Sequence, residues 1–217
     1  MRKSLITSLI IVIFVLAVAI SAGCQNHAEQ DEIEVSELVR GIWENNRYIN
    51  EFAGLTYTIP TGWLINTDDE IKSMIGTMSI MGVKQGIVAQ GIAYSEGITK
   101  VTPIYDMAVT NPVTGCNLLV LYENLYQYNG GGKTSAKQYL ESIKEQLKAL
   151  GDEYTFDNGL RNTMIDGELY QVLDVEIVSL SLVRTYYVRR IDNCLLVIIE
   201  TLNKDEPGFM ENFSGLQ

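Results

Sequence analysis

The chain has 217 residues, 47% of them hydrophobic, with 27 acidic against 16 basic side chains, a formal net charge of −11, one histidine and three cysteines. That charge argues against a reader of phosphate backbones, which needs clustered Lys and Arg, so nucleic acid is not expected as a partner. A single imidazole removes most nucleophile, general-base and zinc schemes, and neither a metal nor another cofactor is expected.

Met1, Arg2 and Lys3 make a short cationic start, and residues 5–20 are apolar apart from Thr7 and Ser8. This is the layout of a secretory signal. The run ends in Ser21-Ala22-Gly23-Cys24, which resembles the bacterial lipobox. The resemblance implies that residues 1–23 are a lipoprotein signal peptide and that Cys24 becomes the acylated first residue. The protein is then held through its lipid on the extracytoplasmic face of the cell membrane. Ser21 departs from that pattern, which usually has Leu there. A plain transmembrane anchor is the alternative, since about 18 apolar residues can just span a bilayer; ordinary cleaved secretion is the third. Cleavage before Cys24 leaves 194 residues, and loss of Arg2 and Lys3 takes the net charge to −13. Residues 24–34 are polar and acidic and read as a flexible tether, with His27 inside it.

Residues 35–217 are long enough to bury a substantial core and are expected to form one globular domain. Residues 42–49 and 55–59 read as two strands joined by a turn, the second alternating apolar residues with Thr. Pro60, Gly62 and Trp63 then stop the sheet. Thr67 and Glu70 have capping-box spacing ahead of Ile71, Met74, Ile75 and Met78, so a helix of about three turns should follow, its acids serving the cap rather than a metal. Residues 83–99 are glycine-scattered and fit a further short helix. Strands at 103–109 and 116–123 should pair as a hairpin through Asn111-Pro112-Val113-Thr114-Gly115.

Ser135 and Gln138 offer a second capping box, and Tyr139, Leu140, Ile143, Leu147 and Leu150 form a helical stripe closed by Gly151. The last third reads as strands at about 154–164, 169–178, 182–191 and 194–202, with turns at Asp166-Gly167 and Asp192-Asn193. Residues 194–199 are apolar on both faces, as in a central covered strand. Phe209, Phe213 and Leu216 would line a short terminal helix beginning near Pro207.

The runs Gly41 to Glu51 and Gly54-Leu55-Thr56-Tyr57-Thr58-Ile59-Pro60-Thr61-Gly62-Trp63, followed by Tyr105-Asp106-Met107, Tyr122-Glu123-Asn124-Leu125 and Tyr139-Leu140, resemble small Gram-positive surface lipoproteins with a PsbP-like domain. The resemblance spans most of residues 41–202. It implies an α+β fold, an α/β/α sandwich of a mainly antiparallel sheet with helices on both faces, and it implies no chemistry. The lengthened Gly130-Gly131-Gly132 loop and the short C-terminus depart from that group.

Four further features invite a site. Gly130 to Thr134 resembles a phosphate loop only in part, because Gln127 stands where its first glycine belongs, and a flexible connection is the simpler reading. Cys116 and Cys194 each begin a strand; a disulfide and two buried free thiols are both open, with free thiols the commoner state. Tyr122, Tyr126 and Tyr128 gather at the glycine loop, a candidate recognition surface, although core packing of most of them is the blander alternative. Asp106, Asp174, Glu176 and Glu200 lie on strands, and a facing pair among them would suit glycoside chemistry. No catalytic set stands out. The expectation is a membrane-tethered binding or assembly module whose partner is another envelope protein or a small ligand. A cell-wall glycan hydrolase and a transporter's solute-binding lipoprotein are the alternatives.

Overall fold

The stretch that carries Trp43 and Tyr48 makes a hairpin by itself. Ile42–Glu44 (β1) pairs antiparallel with Arg47–Asn50 (β2), Glu44 opposite Arg47. The two-residue turn is possible because Asn45 takes φ 56°, a left-handed conformation that Asn tolerates better than most residues. Leu55–Thr58 (β3) pairs with β2, and the C-terminal Phe213–Gly215 (β12) closes the other edge of this four-stranded sheet, Phe213 opposite Tyr57. The structure, a computed structural model, describes residues 39–73, 104–125, 134–149, 153–156 and 158–216.

A larger sheet holds Leu64–Ile65 (β4), Ile104–Thr110 (β5), Asn117–Asn124 (β6), Tyr154–Thr155 (β7), Leu160–Ile165 (β8), Glu168–Ile177 (β9), Leu182–Ile191 (β10) and Cys194–Asn203 (β11). Its order is β4-β5-β6-β11-β10-β9-β7, with β8 also pairing with β9, and every pairing is antiparallel. The run read as one strand over 154–164 is split into β7 and β8, with Gly159 at φ 60° between them. β11 lies in the middle, as its two apolar faces required. Leu196 and Ile198 enter one core; Leu195 and Val197 enter the other.

Those two cores are covered differently. On the Leu195 side lie Leu140 from helix α2 (Ala136–Lys148) and Ile71 from helix α1, described over residues 68–73. Both helices start at the capping boxes read from sequence: Ser135 and Gln138 exchange side-chain-to-backbone bonds, and so do Thr67 and Glu70. On the Leu196 side, Tyr48, Tyr57 and Phe213 of the small sheet take the place of a helix. Among the described residues, therefore, helices cover one face of the mainly antiparallel sheet and a second sheet covers the other. Strands of three or four residues cannot stand alone, so the hairpin and β3 bury their aromatic face on the larger sheet. The expected terminal helix is corrected. Met210–Asn212 is a single 3-10 turn, and the chain then extends because β3 offers an open edge. Residues 83–99, Met74, Ile75, Met78, Leu150, Gly151 and the leader lie outside the described residues.

Cys116 and Cys194 are free. Cys194 lies opposite Asn124, at the far end of β6 from Cys116. About eight strand positions, on the order of 27 Å, separate them, well beyond the reach of a disulfide. A compact unit covers Leu38–Gln217.

Candidate functional site

β5 carries an irregularity: its register against β6 shifts between Tyr105 and Met107. Such a bulge re-aims a side chain, and here the residue between is Asp106, only 3% exposed. Its carboxylate accepts hydrogen bonds from the Tyr48 hydroxyl, the Asn50 side-chain amide and the Gly41 backbone N–H, the last at 2.9 Å. Burial pushes its pKa above the ordinary carboxylate value, and the three donors and Arg40 hold back part of that rise. Tyr48, buried against the same charge, has its pKa raised as well. Asn50 in turn receives the Ala53 N–H at 2.7 Å, so the hub ties the small sheet to β5. Gly41 is needed here for space: a Cβ would stand 2.4 Å from the Tyr48 ring.

Beside this hub opens a cleft of about 270 Å³. Asp106 and Met107 from β5 line it, with Ile65 from the short β4, Asn66 and Thr67 after it, Asp68 and Ile71 from α1, Trp43 from β1, and Arg40 and Gly41 from the entering chain. Arg40 donates to both carboxylate oxygens of Asp68, at 2.9 and 3.1 Å, and to the Asp106 carbonyl oxygen at 2.9 Å. The guanidinium holds the Asp68 carboxyl below its usual range. Both partners are substantially exposed, 43% and 62%, so this pair adds little to stability and is cheap to rearrange. Val39, Ile42 and Leu64, each next in sequence to a lining residue, and Ile65 itself are exposed apolar side chains. The cleft thus offers a paired cation and anion at an apolar rim.

A second constellation crosses the larger sheet. The register places Asp174, Thr185 and Glu200 in one row on β9, β10 and β11. Arg161 clasps Asp174 at 2.8 and 3.1 Å and Thr185 donates to it at 3.0 Å. Burial raises the Asp174 pKa, but those contacts outweigh it and leave the group below the ordinary value. Glu200 is only 3% exposed. Burial raises its pKa against the donors Phe209 N–H at 2.7 Å and Tyr187 hydroxyl at 3.2 Å. Gly208 lies against its carboxylate, where a Cβ would come within 3.2 Å. Glu176, the remaining strand acid, pairs with Lys204.

The structure corrects the tyrosine surface in part. Tyr122 is fully buried, its ring edge-on to Phe52 at 5.4 Å, so it serves the core and offers nothing to a partner. As a β6 residue opposite Leu196 it points into the core under the small sheet. Tyr126, Tyr128, residues 130–133, His27 and the acylation candidate Cys24 lie outside the described residues. Of the strand acids, Asp106 lines the cleft, whereas Asp174, Glu176 and Glu200 do not. Arg40, Tyr48, Asn50 and Asp68 escaped the sequence reading as a site. Asp68 was visible only as one acid of a helix cap, and nothing near it in sequence announces Arg40, 28 residues away. Among the described residues no group of three or more His, Cys, Asp or Glu could hold a metal ion, and no helix is long and apolar enough to cross a membrane.

No family model matches the chain, and no curated protein matches it. Among solved structures it is similar to the solution structure of cyanobacterial PsbP (CyanoP) from Synechocystis sp. PCC 6803, at 13% identity, with a TM-score of 0.45 over 78% of this chain and 91% of that one.

Proposed function

We propose that the protein is an extracytoplasmic lipoprotein of a Gram-positive cell, anchored through Cys24, whose PsbP-like domain is a binding module that works through the Arg40–Asp68 cleft. The anchor is supported by the cationic start, the uncharged apolar run and Ser21-Ala22-Gly23-Cys24. The observation that carries the binding role is the cleft itself: two opposite charges and an apolar rim are exposed together, beside a carboxylate already held by three interior donors. Such a site suits contacts, and the described residues that line it include no Ser, Cys, His or Lys.

A glycan hydrolase is the second reading, favoured by one fact: Asp106 and Asp68 line the same cleft with pKa values displaced in opposite directions. Against it, the oxygens of Asp106 are turned toward Tyr48, Asn50 and Gly41, and a general acid must reach the bond it protonates.

Two measurements test the proposal. Mass spectrometry of membrane-extracted protein should find Cys24 acylated and residues 1–23 gone; an intact leader overturns the anchor. A photoreactive residue at position 65 should crosslink a ligand on cells, and one at the hairpin-tip Val113, 90% exposed, should not. Equal labelling at both overturns the cleft as the binding site. Release of sugar fragments from cell-wall glycan, lost in Asp68→Asn, would instead favour the hydrolase.

A further inference from the structure

Resting on the reading of the cleft as a binding site, we infer that its ligand is a free α-amino acid with an apolar side chain. The ligand carboxylate meets Arg40, its ammonium meets Asp68, and its side chain lies against Ile65, Ile71 and Met107.

Four observations lead there. The first is size. A cleft of about 270 Å³ has room for one small molecule and encloses at most a side chain or two of a larger partner. The second is charge. The lining carries Arg40 and Asp68 in contact at 2.9 Å, so the mouth presents a cation and an anion side by side. An α-amino acid carries its own opposite charges side by side and matches that pair in antiparallel fashion. A simple anion would face Asp68 and the −11 charge of the chain, and a simple cation would sit beside Arg40.

The third is unused bonding capacity. Among the described residues, Arg40 spends three of its five N–H donors, two on Asp68 and one on the Asp106 carbonyl. From the described residues Asp68 accepts two hydrogen bonds, both from Arg40, out of about four that a carboxylate can take. A zwitterion can therefore join the pair without breaking it. The fourth is the wall. Ile71 and Met107 are 3% and 2% exposed, which fixes their position, and Ile65 at 40% forms an open apolar flank. Asp106 is not a ligand contact here. It holds Gly41 and the Tyr48 ring, and through its carbonyl it steadies Arg40.

Calorimetric titration of the full chain in detergent tests this with L-leucine as the probe. N-acetyl-L-leucine, which lacks the ammonium, and L-leucinamide, which lacks the carboxylate, should each bind at least about tenfold more weakly than leucine, as loss of one charged contact implies. Asp68→Asn, at an exposed position, should fold normally and bind leucine and N-acetyl-leucine equally. Arg40→Gln should bind leucine and leucinamide equally. A generally damaged cleft would weaken all three probes and keep their ranking, and that result would overturn the assignment. Failure of leucine to bind, or N-acetyl-leucine binding as tightly as leucine, would overturn it too. If leucine fails while the position 65 crosslink still forms, the amino-acid assignment falls and the cleft remains a binding site; if both fail, both fall.

Discussion

The Asp106 hub and the Asp174–Glu200 row use the same materials. Each contains a buried carboxylate of raised pKa held by a tyrosine hydroxyl and a backbone N–H, and next to it a second carboxylate clasped by an arginine and lowered in pKa. Each also has a glycine where a side chain would strike the buried partner. What differs is access. Asp68 is 62% exposed in its side chain and Asp174 is 17%; a cleft opens beside the first, and Gly208 and Phe209 close over Glu200 in the second. Displaced carboxylate pKa values alone therefore do not single out a site in this protein. Similar electrostatics is closed into packing in one place and lies beside an open cleft in the other.

The largest expected effect comes from removing the hub. Asp106→Ala strands the Tyr48 hydroxyl, the Asn50 amide and the Gly41 N–H, and should cost about 4 kcal/mol in urea unfolding. Glu200→Ala strands two donors and should cost about 2 kcal/mol. Equal losses would show that the hub is no more tightly connected than the row.

A third buried carboxylate provides a reference with one donor among the described residues. Glu123, under helix α2, is pushed up to about 7 by burial, with the Tyr139 hydroxyl at 3.3 Å holding it back slightly. In the unfolded chain it titrates near 4.5. Between those values the folded state keeps a proton that the unfolded state has released. Stability from this group is therefore full below pH 4.5 and is lost as pH rises through about 7, a change on the order of 3 kcal/mol. Glu123→Gln should flatten that part of the stability profile. The residual fall with pH belongs to Asp106 and Glu200, and Asp106→Asn and Glu200→Gln, each added to it, separate the two regions.

The glycines sharpen the same contrast at smaller scale. Gly41→Ala drives a methyl to 2.4 Å from the Tyr48 ring and should cost about 2 kcal/mol. Gly208→Ala at 3.2 Å from a carboxylate oxygen should cost about 0.5 kcal/mol, since a few tenths of an ångström suffice. The smallest effect is at the cleft mouth. Asp68→Asn should leave the melting temperature unchanged, because the pair it breaks is exposed; a shift of several degrees would mean that the cleft is part of the structural frame.

Local chemistry was legible in the sequence. Ser135 with Gln138 and Thr67 with Glu70 cap helices where their spacing said. Asp166-Gly167 and Asp192-Asn193 turn the chain, Asp166 and Asp192 at positive φ, and the two apolar faces of residues 194–199 placed β11 at the centre of a mainly antiparallel sheet. Each of those signals acts within a few residues of itself. The tertiary structure alone decided what covers each face and where the site lies. Phe209 and Phe213 have helical spacing, yet an open strand edge about 158 residues earlier in the chain drew residues 213–215 into extended pairing. Tyr122 looks like a recognition residue beside a glycine loop, and its place opposite Leu196 buried it. The cleft depends on Arg40 meeting Asp68 across 28 residues and Tyr48 meeting Asp106 across 58. Such contacts are set by how two sheets stack and by one bulge in β5, and no local spacing encodes either.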